Sequence, residues 1–394
     1  GFYCKEKRRA IAASGGCVWI QAVSVGEAAL CRNLVPALKT RFPGRPIVLS
    51  TITKTGNDLA RRIFPEGVLI VYFPLDLSFI VKKVVSMLKP SLYIMIETEI
   101  WPNVIREVSS RGIPSVLLNG RISDKSFGKY LFAKRFLKGT LGRISLFCMQ
   151  SELDAERVIT LGAGLEKVKV TGTMKFDTDM RSGASDVKKA QDAIGLKDDE
   201  YLLVAGSTHP GEEEIVLAAY KGLAARFPKL KLLIAPRHIE RAAGVEAVAK
   251  RFGFTTLRVS NFNAARHAAR AAPIVILDKM GVLNDFYSIA TIVYIGGSLV
   301  RHGGQNPLEA AALERPIVFG PHMFNFRTVS SLLVEGRGAI RVRDGGELAK
   351  VVEALLGDPD MRAELGKSAR QVVDSNRGVT AKNVGMLSKI LSES

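Results

Sequence analysis

Short apolar runs rich in β-branched residues recur along the chain, each followed by a loop and a segment with helical spacing. Residues 18–23, 47–53, 92–96, 115–118, 145–150 and 168–170 are such runs in the first half. Residues 201–205, 230–235, 274–277, 291–295, 316–320 and 339–342 repeat the scheme in the second. Continuous apolarity over four to eight residues marks strands buried on both faces, as in a parallel sheet. Behind the first run, Ala28, Leu30, Leu34 and Leu38 keep helical spacing, with Pro36 expected to kink that helix. Pro102 opens a further helix and Gly112 closes it. The pattern predicts an α/β chain of two doubly wound halves. Residues 178–200 are polar and poor in large apolar side chains, which predicts a linker there. The expected domains are therefore 1–178 and 201–394, with 179–200 between them.

Size and composition agree with that division. The 394 residues suffice for two full cores, and 47% of them are hydrophobic. No apolar run approaches the ~18–20 residues that cross a bilayer. The chain begins at Gly1 rather than Met, so a preceding segment is expected. Cys4, Cys17, Cys31 and Cys148 show no metal or redox spacing, which suits buried thiols in a reducing compartment. The net charge of +18 is uneven, with 27 Lys and Arg against 15 Asp and Glu in residues 1–180 and 29 against 23 in the rest. A basic first half calls for an acidic partner: nucleic acid, an anionic membrane face or an acidic substrate.

Candidate chemistry gathers where strands run into helices. In residues 294–312 a strand leads through Gly296-Gly297 and Gly303-Gly304 to Asn306, a good N-cap, and Pro307, a good first helical residue. A helix over 308–314 would then offer free N–H groups to a phosphate, and Glu309 could take both hydroxyls of a ribose. An ordinary strand-to-helix turn uses the same residue types. Glu27 in Ser24-Val-Gly-Glu27 sits at a similar junction, where the helix dipole would keep it ionised for work as a general base. It could equally be a first-turn acid that only stabilises its helix. Glu97 and Glu99 flank the end of another apolar run. Residues 125–143 interleave six cations with Phe127, Tyr130, Leu131, Phe132, Phe136 and Leu137 and contain no acid, as an anionic interface or a basic-faced core helix would. Lys5-Glu-Lys-Arg-Arg9 reads as a solvated or membrane-proximal basic patch. His209, His238, His302 and His322 lie in Gly/Pro-rich loops after strands. Asp177-Thr-Asp179 and Asp358-Pro-Asp360 match a short acidic metal pattern, but neither lies in a glycine-rich loop, so no metal is expected. There is no P-loop and no Gly-x-Ser-x-Gly elbow.

Several motifs, in order, carry a resemblance. They are Ser24-Val-Gly-Glu27, Glu97-Thr-Glu-Ile-Trp-Pro-Asn103, Gly172-Thr-Met-Lys175-Phe-Asp177, Ser207-Thr-His-Pro-Gly-Glu-Glu213, Pro236-Arg-His238 and Gly303-Gly-Gln-Asn-Pro-Leu-Glu309. Over nearly its whole length the chain resembles the 3-deoxy-D-manno-octulosonic acid (Kdo) transferases of lipopolysaccharide synthesis. The resemblance implies a GT-B fold of two Rossmann-like domains facing an interdomain cleft, with CMP-Kdo as donor and a lipid A precursor as acceptor. It implies an inverting transfer at the cytoplasmic face of a bacterial inner membrane, with no cofactor or metal and no nucleic-acid partner. Glu27 would be the base, with Glu97 or Glu99 and Lys175 supporting the transition state. Ser207, Thr208, His209, Pro236, Arg237, His238, Met280, Gly281, Gly303, Gly304, Asn306, Pro307, Leu308 and Glu309 would hold CMP. Val282 departs from the family's usual Glu after Met-Gly, and the usual apolar N-terminal anchor is absent. The other readings are a UDP-sugar transferase or epimerase of the same fold and a basic nucleic-acid binder.

Overall fold

The computed structural model describes residues 16–177, 184–264 and 272–393. It divides into two compact units, Gly1–Thr178 with Asn376–Ser394, and Asp179–Ser375. Lys5–Arg9 lies outside the described residues.

The first unit runs β1 (Cys17–Gln21), α1 (Val25–Arg41), β2 (Ile47–Thr51), α2 (Lys54–Ile63), β3 (Leu69–Tyr72), α3 (Ser78–Leu88), β4 (Pro90–Ile96) and α4 (Pro102–Ser110). It continues through β5 (Ser115–Gly120), α5 (Asp124–Phe132), α6 (Lys134–Leu141), β6 (Leu146–Met149), α7 (Glu152–Leu161) and β7 (Val168–Val170). Its seven strands lie in the order β3-β2-β1-β4-β5-β6-β7, and every pairing in the sheet is parallel. Both faces are buried, because successive side chains alternate across a strand. Val18 and Ile20 thus pack on one side with Leu34 and Leu38 of α1, and Trp19 on the other with Tyr93 of β4 and Val85 of α3. Helix α1 runs on through Pro36.

The second unit opens with α8 (Ala184–Ile194), inside the stretch expected to be a linker. Ala190 and Ile194, one turn apart, are buried, and α8 packs against a later helix of the same unit. The stretch looked like a linker because its few apolar residues are small or isolated. There follow β8 (Tyr201–Thr208), α9 (Glu212–Arg226), β9 (Leu230–Pro236), α10 (Ala242–Arg251), β10 (Thr256–Arg258), β11 (Ile274–Ile276), α11 (Leu283–Ile289) and β12 (Ile292–Ile295). The unit ends with α12 (Leu308–Ala312), β13 (Ile317–Phe319), α13 (Arg327–Glu335), β14 (Ala339–Arg341), α14 (Gly345–Gly357) and α15 (Pro359–Ser375). Its sheet is ordered β10-β11-β9-β8-β12-β13-β14, again all parallel.

The last helix, α16 (Val379–Glu393), belongs to the first unit rather than the second. Val384 and Leu387 bury against the core that holds Leu34 and Leu38. Asp177 caps α16, accepting the N–H groups of Gly378 at 2.7 Å and Thr380 at 2.6 Å. A carboxylate at a helix N-terminus is stabilising, which gives Asp177 a structural task. Among the described residues no group of three His, Cys, Asp or Glu could hold a metal ion.

In open α/β sheets ligands bind beyond the strands' carboxyl ends, where strand order reverses. That point lies between β1 and β4 in the first unit and between β8 and β12 in the second.

Candidate active site

Glu27 sits at the first of these points, in the opening turn of α1. Ser24 is the N-cap, its hydroxyl accepting the Glu27 N–H at 3.3 Å and donating to Glu27 Oε1 at 3.0 Å. Glu27 Oε2 accepts the Val23 N–H at 2.8 Å. This is a capping box turned one residue upstream, so the structural role is real. It does not account for the charge state. Glu27 is 7% exposed, and burial pushes its pKa from 4.5 up to about 7, with Glu97 and Glu99 adding repulsion against the Val23 hydrogen bond. The dipole was expected to keep this carboxylate ionised; desolvation outweighs it. The result is a carboxyl poised near neutrality, as a general base needs.

β4 delivers the other two carboxylates. Glu97 takes a left-handed backbone, φ 63°, a strained conformation for a non-glycine residue. Its side chain is held by Arg121 Nε at 2.8 Å, Lys175 Nζ at 3.7 Å and Asn119 Nδ2 at 3.4 Å. Burial lowers the pKa of Lys175, and Glu97 works against that shift. Glu99 is half-buried, which raises its pKa, and its carboxylate has no hydrogen-bond or ion-pair partner among the described residues. Gln21 fixes this loop, donating to the Glu99 carbonyl at 3.0 Å and accepting from Tyr93. The sequence did not single out Arg121, Asn119 or Gln21. Arg121 and Asn119 do follow the rule that found Glu97, polar residues where an apolar strand ends.

In the second unit the site residues again line the sheet's carboxyl edge. Ser207 (φ 58°) and Thr208 end β8, and His209 follows. Pro236 closes β9, and Arg237 and His238 follow it, both exposed. The Arg237 N–H donates to the Thr208 carbonyl at 3.0 Å, tying the two strand ends together. His209 stacks on His302, ring centroids 4.1 Å apart, and its Nε2 lies 3.0 Å from Gln305 Nε2. Burial lowers the His209 pKa to about 4, with His302, His238, Arg241 and Arg237 adding to the shift. His209 is therefore neutral at pH 7.

The glycine-rich loop after β12 differs from expectation. It does form a nest for an anion, and the anion is Glu212, a fully buried carboxylate in the first turn of α9. Glu212 Oε1 accepts the N–H groups of Ser298 and Leu299 at 3.0 and 3.1 Å and the Tyr294 hydroxyl at 2.6 Å. Its Oε2 accepts the N–H groups of Gly297 and His209 at 2.6 and 3.1 Å. Beside it Glu213 accepts from Thr208 and binds Arg241 through both oxygens. The Gly304 and Gln305 N–H groups go to the carbonyls of Gly297 and Gly296. The N-cap is Pro307 rather than Asn306, so the helix begins one residue later than expected; Asn306 Oδ1 takes the Leu308 N–H at 3.2 Å, and Pro307 has none to give. The helix itself stops at Ala312, short of Glu314. A phosphate here would meet the side chains of Arg237 and His238 rather than free amides. Gly303 and Gly304, both with positive φ, let Asn325 and Met323 pass where a Cβ would stand. Glu309, partly buried with a raised pKa, accepts from Asn306 Nδ2 at 3.2 Å and feels Arg237. Met280 is 80% exposed on the loop after β11, and Gly281 has φ 84°. Val282 leaves α11 without a side-chain cap.

Residues 125–143 form two helices, α5 and α6, rather than one. Phe127, Tyr130 and Leu137 pack inward. Phe132 and Phe136 are 99% and 71% exposed, and Leu131 is exposed with them. Lys125, Lys129, Lys134, Arg135, Lys138 and Arg143 are all exposed. Among the described residues no helix is long and apolar enough to cross a membrane.

A family model described as 3-deoxy-D-manno-octulosonic-acid transferase (kdotransferase) matches residues 1–178. A 3-deoxy-D-manno-octulosonic acid transferase of Haemophilus influenzae is 35% identical over 376 residues, covering 95% of this chain and 87% of the relative. One from Chlamydophila psittaci is 33% identical over 360 residues, covering 91% and 81%. Among solved structures, a glycosyltransferase from Rickettsia africae is similar with a TM-score of 0.67 at 12% identity, covering 96% of this chain and 100% of that one. A UDP-GlcNAc 2-epimerase from Neisseria meningitidis gives 0.66 at 11% identity, covering 94% and 99%. At such identities the likeness is one of fold, the two-domain GT-B fold expected from the motifs.

Proposed function

The chain belongs to the 3-deoxy-D-manno-octulosonic acid (Kdo) transferase family of glycosyltransferases, and from that premise we propose that it moves Kdo from CMP-Kdo to a lipid A precursor. The observation that carries the reading is Glu27, a buried carboxyl with a pKa near 7 where strand order reverses. Glu27 would accept the proton of an acceptor glucosamine hydroxyl as that oxygen attacks the anomeric carbon of Kdo. The bond to the phosphate breaks, CMP leaves, and the configuration inverts. Glu97, fixed by Arg121 and Lys175, supports the oxocarbenium-like transition state. Arg237, with His238 beside it, would offset the charge gathering on the departing phosphate.

The second unit takes the donor in this reading, with Glu309 on the ribose and residues 207–209, 280–281 and 303–308 around the nucleotide. A ligand that binds the native state raises apparent stability by RT ln(1 + [L]/Kd). CMP should therefore raise the melting temperature where UDP and duplex DNA do not. Glu309→Ala should weaken the CMP effect at least ~10-fold in affinity, because each lost charge-assisted hydrogen bond is worth ~1.5–3 kcal/mol. A preference for UDP would favour the UDP-sugar reading, and stabilisation by DNA the nucleic-acid one.

The first unit takes the acceptor and meets the membrane at the cytoplasmic face of the inner membrane, peripherally or through an N-terminal anchor outside this sequence. Six exposed cations beside Leu131, Phe132 and Phe136 support this. Near an anionic surface each cation contributes roughly 1 kcal/mol, screened by salt. Replacing Lys129, Lys134, Arg135 and Lys138 with Gln should weaken binding to anionic vesicles by roughly two to three orders of magnitude. Unchanged vesicle binding would make these helices a solvated face and nothing more.

A further inference from the structure

The loops after β12 and β13 lie across the strand-order reversal from β9, and they carry side chains that binding of the nucleotide leaves unused. Neither 296–307 nor 320–326 contains an Asp or Glu. The two loops are fastened to each other. The Asn325 N–H donates to the Gly303 carbonyl at 2.9 Å and the His322 N–H to the Ser298 carbonyl at 2.9 Å. Asn325 Nδ2 donates to the His302 carbonyl at 2.9 Å. The His302 ring is held as well, stacked at 16° on His209, which Gln305 contacts in turn. Gly297 makes room for the pair, since a Cβ there would stand 3.0 Å from the His209 ring and 3.5 Å from the His302 Cβ. Arg301, His302 and Phe324 are left exposed. The Arg301 guanidinium has no hydrogen-bond or ion-pair partner among the described residues. The Phe324 ring, 52% exposed, lies against Gly303, where a Cβ would come within 2.5 Å of it.

A nucleotide-activated sugar acid carries two anionic groups, the phosphate and the carboxylate of the sugar. Arg237, after β9, serves the phosphate, which leaves the carboxylate without a partner. A carboxylate enclosed without one is unfavourable, and the arginine fork matches it through two parallel hydrogen bonds. The His302 imidazole offers an N–H in either protonation state. Kdo is also a 3-deoxy sugar, with a methylene where other sugars carry a hydroxyl. An exposed aromatic ring gains by covering such a C–H face, and a hydroxyl in its place would go unpaired. A single exposed phenylalanine is ordinary on any surface. Phe324 differs in being fixed against the residue that follows His302, on a loop free of acids at the sheet's carboxyl edge.

We propose that Arg301, His302 and Phe324 form the sugar subsite of the donor, the first two holding the carboxylate and the ring covering the apolar face at the deoxy carbon. The proposal rests on the reading of the donor as CMP-Kdo. The test measures three ligands without acceptor, through the stabilisation each confers: CMP, CMP-Kdo, and CMP-Kdo with its carboxylate converted to a carboxamide. Wild-type protein should bind CMP-Kdo at least ~10-fold more tightly than the amide, the scale of one charge-assisted hydrogen bond. In the double variant Arg301→Gln, His302→Ala that preference should vanish, while CMP affinity stays within a few-fold of wild type. A variant that keeps the preference overturns the subsite, and so does a wild type that shows none. Loss of CMP affinity in step with CMP-Kdo would place these groups on the phosphate and overturn it equally. If the double variant melts early without ligand, because His209 has lost its stacking partner, Arg301→Gln alone carries the test, being exposed and unpaired. Phe324→Ala should weaken CMP-Kdo and its amide alike, by roughly threefold to tenfold, and leave CMP unchanged. Equal loss on all three ligands overturns the ring's part. Wild-type protein stabilised by neither CMP nor CMP-Kdo overturns the donor reading and the subsite with it. Stabilisation by both, with the carboxylate preference kept in the variant, overturns the subsite alone.

Discussion

Glu27→Gln is expected to lower Kdo transfer by about 10²–10⁴-fold, the usual scale for a lost general base. Glutamine keeps the shape and still accepts the Val23 N–H that now goes to Glu27 Oε2, so the cap on α1 survives while the basic oxygen does not. CMP should stabilise the variant within a few-fold of the wild type, because the donor cations lie in the other unit. The pH dependence separates this role from a purely structural one. A base must be deprotonated, so wild-type kcat/KM should rise with pH and level off above about 7, where Glu27 ionises. Stability should show the opposite trend. The folded pKa is raised, so the folded state holds the proton more tightly than the unfolded chain. Glu27's contribution is then lost as pH climbs from 4.5 through about 7. The Gln variant should lack that decline. Near-normal turnover in Glu27→Gln would end the base assignment.

Glu212→Ala should have the largest effect on stability. The substitution leaves four N–H groups and the Tyr294 hydroxyl without the acceptor they share. Each orphaned buried donor costs ~1–3 kcal/mol, and breaking a buried charged network typically costs ~3–5 kcal/mol. Against a whole-domain stability of ~5–15 kcal/mol, that loss unfolds or nearly unfolds the second unit at 37 °C. Calorimetry should show that unit's transition lowered and CMP stabilisation gone. Glu214→Ala, two residues on and 44% exposed with only a surface contact to Arg251, should shift stability by less than ~0.5 kcal/mol. Equal, small effects from both variants would mean Glu212 does not hold the loop.

The contrast between those two neighbours shows what the sequence could and could not disclose. Glu212, Glu213 and Glu214 look alike as first-turn acids of α9. Only the fold brings residues 297–299 back over the first of them, 85 positions away in the case of Gly297. The same long-range return hid the true fate of the loop amides: a nest for an anion was legible in Gly296-Gly297, its resident was not. Strands such as Ile292–Ile295 were legible because both faces are buried and the run is apolar throughout. Thr256–Arg258 was not, being a three-residue edge strand with two partly exposed side chains. Polar residues 179–200 hid a helix for a related reason, since a helix that buries only small residues lacks the apolar stripe that advertises one. At the carboxylate cluster, Glu27, Glu97, Glu99 and Lys175 were each legible as strand-end residues or motif members. Their electrostatic coupling was not, because burial and mutual distance set a pKa and a linear chain displays neither.

Mass analysis of the products formed by purified protein from CMP-Kdo and a lipid A precursor tests the central claim most directly. The account predicts the acceptor carrying added Kdo, with one CMP released for each Kdo transferred and none of this with Glu27→Gln. Release of CMP with an unmodified acceptor, or transfer from a UDP-sugar in place of CMP-Kdo, would contradict it.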